Sequence, residues 1–208
     1  MALAYTKTTW VDDSAPAMTA AQLNRMEAGI WAASSPIVSS LPASPVDGQE
    51  CQYVADAANG VLWHLVYRAA DTSSYKWNCV GGSPLFSANY NDETFTGDST
   101  WRDATTNGPD ITVPLAGDYF YQASVEYYAV TNNIIFIAGL GYGAGSTPAG
   151  TDQWRDVSAS LGNAFPMAWQ SLLTGVSAGQ LLRMRWFANA NTPHVYRRIL
   201  TVVPRRVG

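Results

Sequence analysis

Between Tyr119 and Tyr127 the chain alternates with a period of two. Tyr119, Tyr121, Ala123, Val125 and Tyr127 take the odd positions, while Gln122, Ser124 and Glu126 stand between them. Successive side chains of a strand point to opposite faces, so this stretch has one face for a core and one for water. Leu182, Met184, Trp186 and Ala188 alternate with Arg183 and Arg185 in the same way. Turn-forming runs interrupt such stretches at Asn107-Gly108-Pro109, Ala116-Gly117-Asp118, residues 141–150 and Ser177-Ala178-Gly179. The spacing predicts an antiparallel sandwich with strands at 111–114, 119–128, 134–142, 154–160, 164–173, 181–190 and 195–203.

The stretch 134–142 departs from the pattern. Ile134, Phe136, Ala138 and Leu140 alternate with Ile135, Ile137 and two glycines. A strand apolar on both faces is covered on both faces, and a two-layer sandwich covers only one. Ile135, Phe136 and Ile137 are therefore expected to contribute to a subunit interface. Composition points the same way. Charged residues are 13% of the chain, against about 25% in ordinary domains, and Trp and Tyr are abundant, at 8 and 11. Such a chain has a large core or buries surface against its own copies.

Residues 46–86 read as a small β-unit with strands at 49–55, 61–68 and 75–80. Asn59-Gly60 lies between the first two, where a tight hairpin demands positive φ. A three-stranded meander is marginal alone and needs packing. Ahead of it, residues 34–45 carry three prolines and read as an extended linker. Residues 1–33 read as an arm and one amphipathic helix. Thr19 and Gln22 fit a capping box, and Leu23, Met26, Ile30 and Ala33 fall on one narrow face. A helix of this length is marginal alone, so its apolar face calls for a partner. Docking on its own domain, self-association as a three-helix bundle and docking on another protein all remain open. The class expected is mostly β, in four segments: 1–33, 34–45, 46–86 and 87–208.

All six arginines from Arg183 onward lie in a stretch without acids, and all sixteen acids precede it. Charge balance between neighbouring strands accounts for this better than a nucleic-acid surface, which wants a local basic excess. No apolar run reaches the roughly 18 residues of a membrane span, and no signal-peptide pattern is present. Cys51 and Cys79 read as small core residues, with pairing across neighbouring strands as the alternative.

Enzyme motifs are missing. His64 and His194 have no nucleophile in a recognisable setting, and no G-x-S-x-G, H-E-x-x-H or phosphate-binding loop occurs. Asp92, Glu93, Asp98, Asp103, Asp152 and Asp156 are the loop carboxylates a glycosidase pair would draw on. The oxygen-rich run 89–93 lacks the spacing of an EF-hand calcium loop. No cofactor or metal ligand set is expected. Ligand binding is the better reading, since exposed aromatics suit sugar rings. Trp101, Tyr142 and Trp154 are the loop aromatics placed for it, with the 189–191 amides beside them.

Three resemblances add to this. Thr8 to Asp13, Ala15, Pro16 and Thr19 to Ile30 resemble the N-terminal segment of bacteriophage tail-fibre and minor tail proteins, which implies attachment to a virion. Pro45, Asp47 to Gln49, Tyr53 to Asp56, Trp63 to Leu65, Tyr75 to Trp77 and Gly81-Gly82 resemble a small module of phage structural proteins. Val113-Pro114, Ala116-Gly117, Tyr119, the turn Val176 to Gln180, the strand after it and the closing strand at 199–203 resemble the TNF/C1q-like jelly roll, a family of threefold trimers. The run 141–150 has no counterpart there. Together they imply a homotrimeric virion protein, assembled in the host cytoplasm and joined to other virion proteins through its N-terminus. It would contact a host-surface glycan, with no enzymatic, nucleic-acid or membrane role. A capsid decoration or head fibre without a receptor is the alternative, and a surface-glycan depolymerase a third reading.

Overall fold

The computed structural model describes residues 19–33, 35–103, 108–128, 134–142, 153–158, 165–189 and 193–208. The chain divides into two compact units, Met1–Gly82 and Ser83–Gly208.

The first unit holds the helix α1 (Ala20–Ala33) and four strands: β1 (Ile37–Val38), β2 (Glu50–Asp56), β3 (Val61–Tyr67) and β4 (Trp77–Gly82). The capping box forms as expected. The Thr19 N–H donates to Gln22 Oε1 at 2.9 Å, and the Gln22 N–H donates to Thr19 Oγ1 at 3.2 Å. β2, β3 and β4 make an antiparallel meander, with Gly60 at φ 68° in the first hairpin. Cys51, Trp63 and Leu65 are fully buried in it. The segment read as a linker is only partly one. Ile37 and Val38 pair in parallel with Gln52 and Tyr53, because an extended chain with free N–H groups is a ready partner for a sheet edge. Cys51 and Cys79 both stand opposite Leu65, on either side of β3. Two strand spacings, roughly 9.6 Å, exceed disulfide reach, and both thiols are free. Burial pushes the Cys51 thiol up to about 11.

The second unit is a jelly roll of two sheets. Its strands are β5 (Leu85–Asn89), β6 (Glu93–Thr94), β7 (Trp101–Arg102), β8 (Asp110–Thr112), β9 (Gly117–Tyr128), β10 (Ile134–Tyr142), β11 (Gln153–Ser158), β12 (Phe165–Val176), β13 (Leu181–Ala188) and β14 (His194–Val207). In the first sheet β14 is flanked by β5 and β6 on one edge and by β9 on the other, and β9 continues to β12. In the second sheet β10 lies between β11 and β13, and β13 pairs onward with β7 and β8. Apart from the β10–β11 hairpin, every step from β9 to β14 changes sheet, which is the jelly-roll connection. The unit begins before residue 87, the boundary expected from sequence, because Leu85 and Phe86 pair with Val202 and Thr201.

The alternation of β9 holds throughout. Tyr119, Tyr121, Ala123, Val125 and Tyr127 are all at most 2% exposed. They meet Phe136, Ala138 and Leu140 of β10 and Leu182, Met184 and Trp186 of β13, also buried. The Tyr127 and Phe136 rings are parallel at 4.0 Å, and Phe136 lies 6.2 Å from Trp186. Trp169 Nε1–H donates to Tyr121 Oη at 3.1 Å and the Tyr119 hydroxyl donates to the Leu115 carbonyl at 2.6 Å, while the buried Trp186 Nε1–H meets no acceptor among the described residues. Arg198 is wholly buried and reaches Glu93 at 2.8 Å.

Candidate interaction surfaces

With the inner faces closed against each other, function rests on the outer faces. On the first sheet, the even residues of β9 point outward. Phe120 is opposite Val203 of β14 and Leu172 of β12. Phe86, opposite Thr201, stands one pleat along on β5. Phe86, Phe120 and Val203 are 60%, 50% and 39% exposed, so an apolar stripe crosses four strands in contact with water. Apolar side chains exposed side by side in this way make the face a candidate interface. Farther along, Gln122 and Gln170 oppose each other, then Ser124 and Ala168, then Glu126 and Pro166. The face grades from apolar at Phe120 to charged at Glu126. Six residues of strand separate these two, roughly 20 Å.

The outer face of the second sheet is arranged otherwise. Ile137 is opposite Phe187, and Phe187 is opposite Trp101, whose rings lie 6.0 Å apart. Next come Arg185 opposite Gly139 and Arg183 opposite Gly141. A glycine opposite leaves room for a long side chain to lie across the strand. Arg183 donates from Nε and Nη2 to the two oxygens of Asp110 at 2.8 and 2.5 Å. Arg185 donates from Nε to Asp103 at 3.0 Å and from Nη2 to the Trp101 carbonyl at 2.9 Å. Both arginines are buried although they point outward. The Asp110 carboxylate raises the Arg183 pKa above its ordinary value. Sequence showed two arginines on a wet face; the structure shows a covered ionic layer.

The sequence-selected residues separate accordingly. Phe136 does not face outward: it is fully buried between Tyr127 and Trp186, because its parity matches Ala138 and Leu140. Ile135 and Ile137 are half-buried on the outer face with Phe187 and Trp101. Tyr142 pairs with Leu182, five residues of β13 from Phe187. It is offset from Trp101 by roughly 17 Å along the strand direction and lies on the opposite face. Trp154 pairs with Ala138 through its backbone, but its side chain lies outside the described residues, as do residues 143–152. Trp101 and Tyr142 do not gather into one site. On α1, Met26 and Ile30 are 54% and 57% exposed and Leu23 is half-buried, while Glu27 is 5% exposed. The helix therefore turns its apolar side to solvent.

The carboxylates are held by cations. Asp98 bonds Arg102 and Thr100, and these bonds, Arg102 first, pull its pKa down to about 2. Glu93, in the oxygen-rich run, is taken by Arg198. Ser35 and His64 both contact Glu50 Oε2, each at 2.9 Å. A carboxylate between them is not a hydroxyl activated by an imidazole. Five of the six late arginines are balanced by earlier acids as expected: Arg183 by Asp110, Arg185 by Asp103, Arg197 by Glu126, Arg198 by Glu93 and Arg206 by Asp118.

The exposed stripe escaped the sequence reading, yet it had a signal. Tyr119-Phe120-Tyr121 and Val202-Val203 are apolar at both parities, the same irregularity that singled out β10. No protein-family model matches the sequence, and no curated protein matches it. Among solved structures, Eiger TNF from S. frugiperda is similar over 61% of this chain and 95% of its own, at 12% identity and TM-score 0.43. The infectious bursal disease virus VP2 subviral particle is similar over 79% of this chain, at 7% identity and TM-score 0.45. This chain spans 41% of that protein's length. At such scores neither likeness bears on function.

Proposed function

We propose that this chain is a structural, non-catalytic protein of a bacteriophage virion: a homotrimeric tail-fibre or minor tail protein. It is fixed to the particle by residues 1–33, and its jelly-roll head meets the host cell surface. The observation that carries the reading is the apolar stripe of Phe86, Phe120, Val203 and Leu172, which suits association with copies of the chain. The exposed Met26 and Ile30 of α1 support the N-terminal attachment, as does the resemblance of residues 8–30 to tail-fibre segments.

Light scattering on the purified chain at micromolar concentration tests the assembly. The expected mass is three times the 22.5 kDa of one chain, and Phe120→Ser with Val203→Ser should return it to one. A wild-type monomer would overturn the trimer. Gold labelling of the C-terminus on intact particles tests the location. Label at the tail tip supports host contact, and label spread over the head reassigns the protein to capsid decoration.

A further inference from the structure

The charged end of the first sheet's outer face carries a group of side chains that neither the core nor the stripe uses. Tyr128 Oη lies 2.7 Å from His194 Nδ1 and 3.1 Å from Asp92 Oδ2, and His194 Nδ1 lies 3.0 Å from Asp92 Oδ1. A carboxylate only accepts. The Tyr128 hydroxyl therefore donates to Asp92, and His194 carries its proton on Nδ1. In the neutral ring Nε2 is then an acceptor, and among the described residues it meets no donor. The Tyr128 and His194 rings stack at 4.3 Å, and Tyr196 stands against Tyr128 at 6.1 Å and 62°. Arg197 Nη1 donates to Glu126 Oε1 at 2.9 Å. The remaining Arg197 donors sit on a side chain 58% exposed. Beside Glu126 and Arg197, a shallow depression of about 150 Å³ is floored by Ser124, Pro166, Met167 and Ala168.

The geometry points to a binding site for a neutral pyranose of a surface glycan, formed by Tyr128, Tyr196, His194, Asp92, Glu126 and Arg197. It rests on the host-contact reading above and names that contact's site. Partly exposed aromatic rings offer flat surface to the C–H face of a sugar. Around them stand acceptors at Asp92, Glu126 and His194 Nε2 and donors at Arg197, the mixed set that ring hydroxyls need. Internal hydrogen bonds already fix these groups, so little ordering is required on binding. Two carboxylates against one guanidinium disfavour acidic sugars. The site is also compatible with assembly, because Tyr128 lies eight residues, roughly 27 Å, along the strand from Phe120.

The test uses the full chain, with glucose, galactose, mannose, N-acetylglucosamine and N-acetylneuraminic acid as probes in saturation-transfer NMR and titration. At least one neutral sugar should bind with a Kd of about 1 mM. N-acetylneuraminic acid should not bind. Tyr196→Ala should weaken binding about tenfold without lowering Tm, and the exposed Arg197→Ala should weaken it independently. Absence of neutral-sugar binding up to about 20 mM, or unchanged affinity in both variants, overturns the site. Competition by the purified chain against particle adsorption to host cells separates the two readings. If wild type and Tyr196→Ala compete equally, the site falls and host contact stands. If wild type fails to compete while a neutral sugar still binds, host contact falls and the site stands.

Discussion

Outward from β13 point Arg183 and Arg185; outward from β9 points Phe120. Both strands have the same inner pattern, and both stand in the middle of a sheet. Arg183 and Arg185 are covered and ion-paired within the chain, whereas Phe120 and Val203 meet water. A buried arginine with a bidentate carboxylate has satisfied its demands locally. An exposed phenylalanine row has not, and gains free energy only when another surface arrives. The comparison therefore separates an outer face whose arginines are satisfied within the chain from one that leaves a phenylalanine in water. The expectation from sequence had placed the interface on β10 in the second sheet, where Ile135 and Ile137 are half-buried on the outer face and Phe136 belongs to the core.

The sharpest break of that comparison is Phe136→Ala. If Phe136 belongs to the core, thermal or denaturant unfolding should show a loss of about 3–5 kcal/mol, with the subunit count unchanged by light scattering. A change in assembly without loss of stability would return Phe136 to an interface.

Smaller is the effect expected for Arg185→Ala. It removes the Asp103 ion pair and the bond to the Trp101 carbonyl, and denaturant titration should register about 1–3 kcal/mol. A neutral result would mean that the ionic layer is solvated rather than covered.

Phe120→Ser with Val203→Ser should change protomer stability by no more than about 0.5 kcal/mol, measured below the association concentration, while abolishing assembly. A large loss of protomer stability would show the stripe to be covered within the chain.

The smallest effect is that of Asp98→Asn. Its carboxyl is depressed in the folded state, so the stability it contributes is present above the ordinary value of 3.8 and fades as pH falls through about 2. Acid titration of wild type should show that extra slope between these values, and the Asn variant should lack it.

How much could be read in advance follows from how far each signal is local. The capping box at Thr19 and Gln22, the Asn59-Gly60 hairpin and the strands at 119–128 and 134–142 depend on residues close in sequence, and they stand where the pattern placed them. β5, β6 and β7 were missed because segments of two to five residues become strands only when a long neighbour such as β14 or β13 supplies the ladder. The cluster of Tyr128, His194 and Asp92 was illegible for the same reason: 102 residues separate Asp92 from His194, and no spacing encodes their meeting.

By itself the sequence determined which side chains face inward on the strands that alternate cleanly, such as β9 and β13, because successive side chains point to opposite faces. On β10, apolar at both parities, and on β14, with its register shift between Val195 and Arg198, it did not. It also determined that the late arginines would need acids from earlier strands. Which acid meets which arginine, and which outer face is left apolar, was decided only by the order of strands in the two sheets. Register places Asp110 beside Arg183 and Val203 beside Phe120. That order brings together residues far apart in the chain, 73 positions for Asp110 and Arg183, so it cannot be read from any one stretch of it.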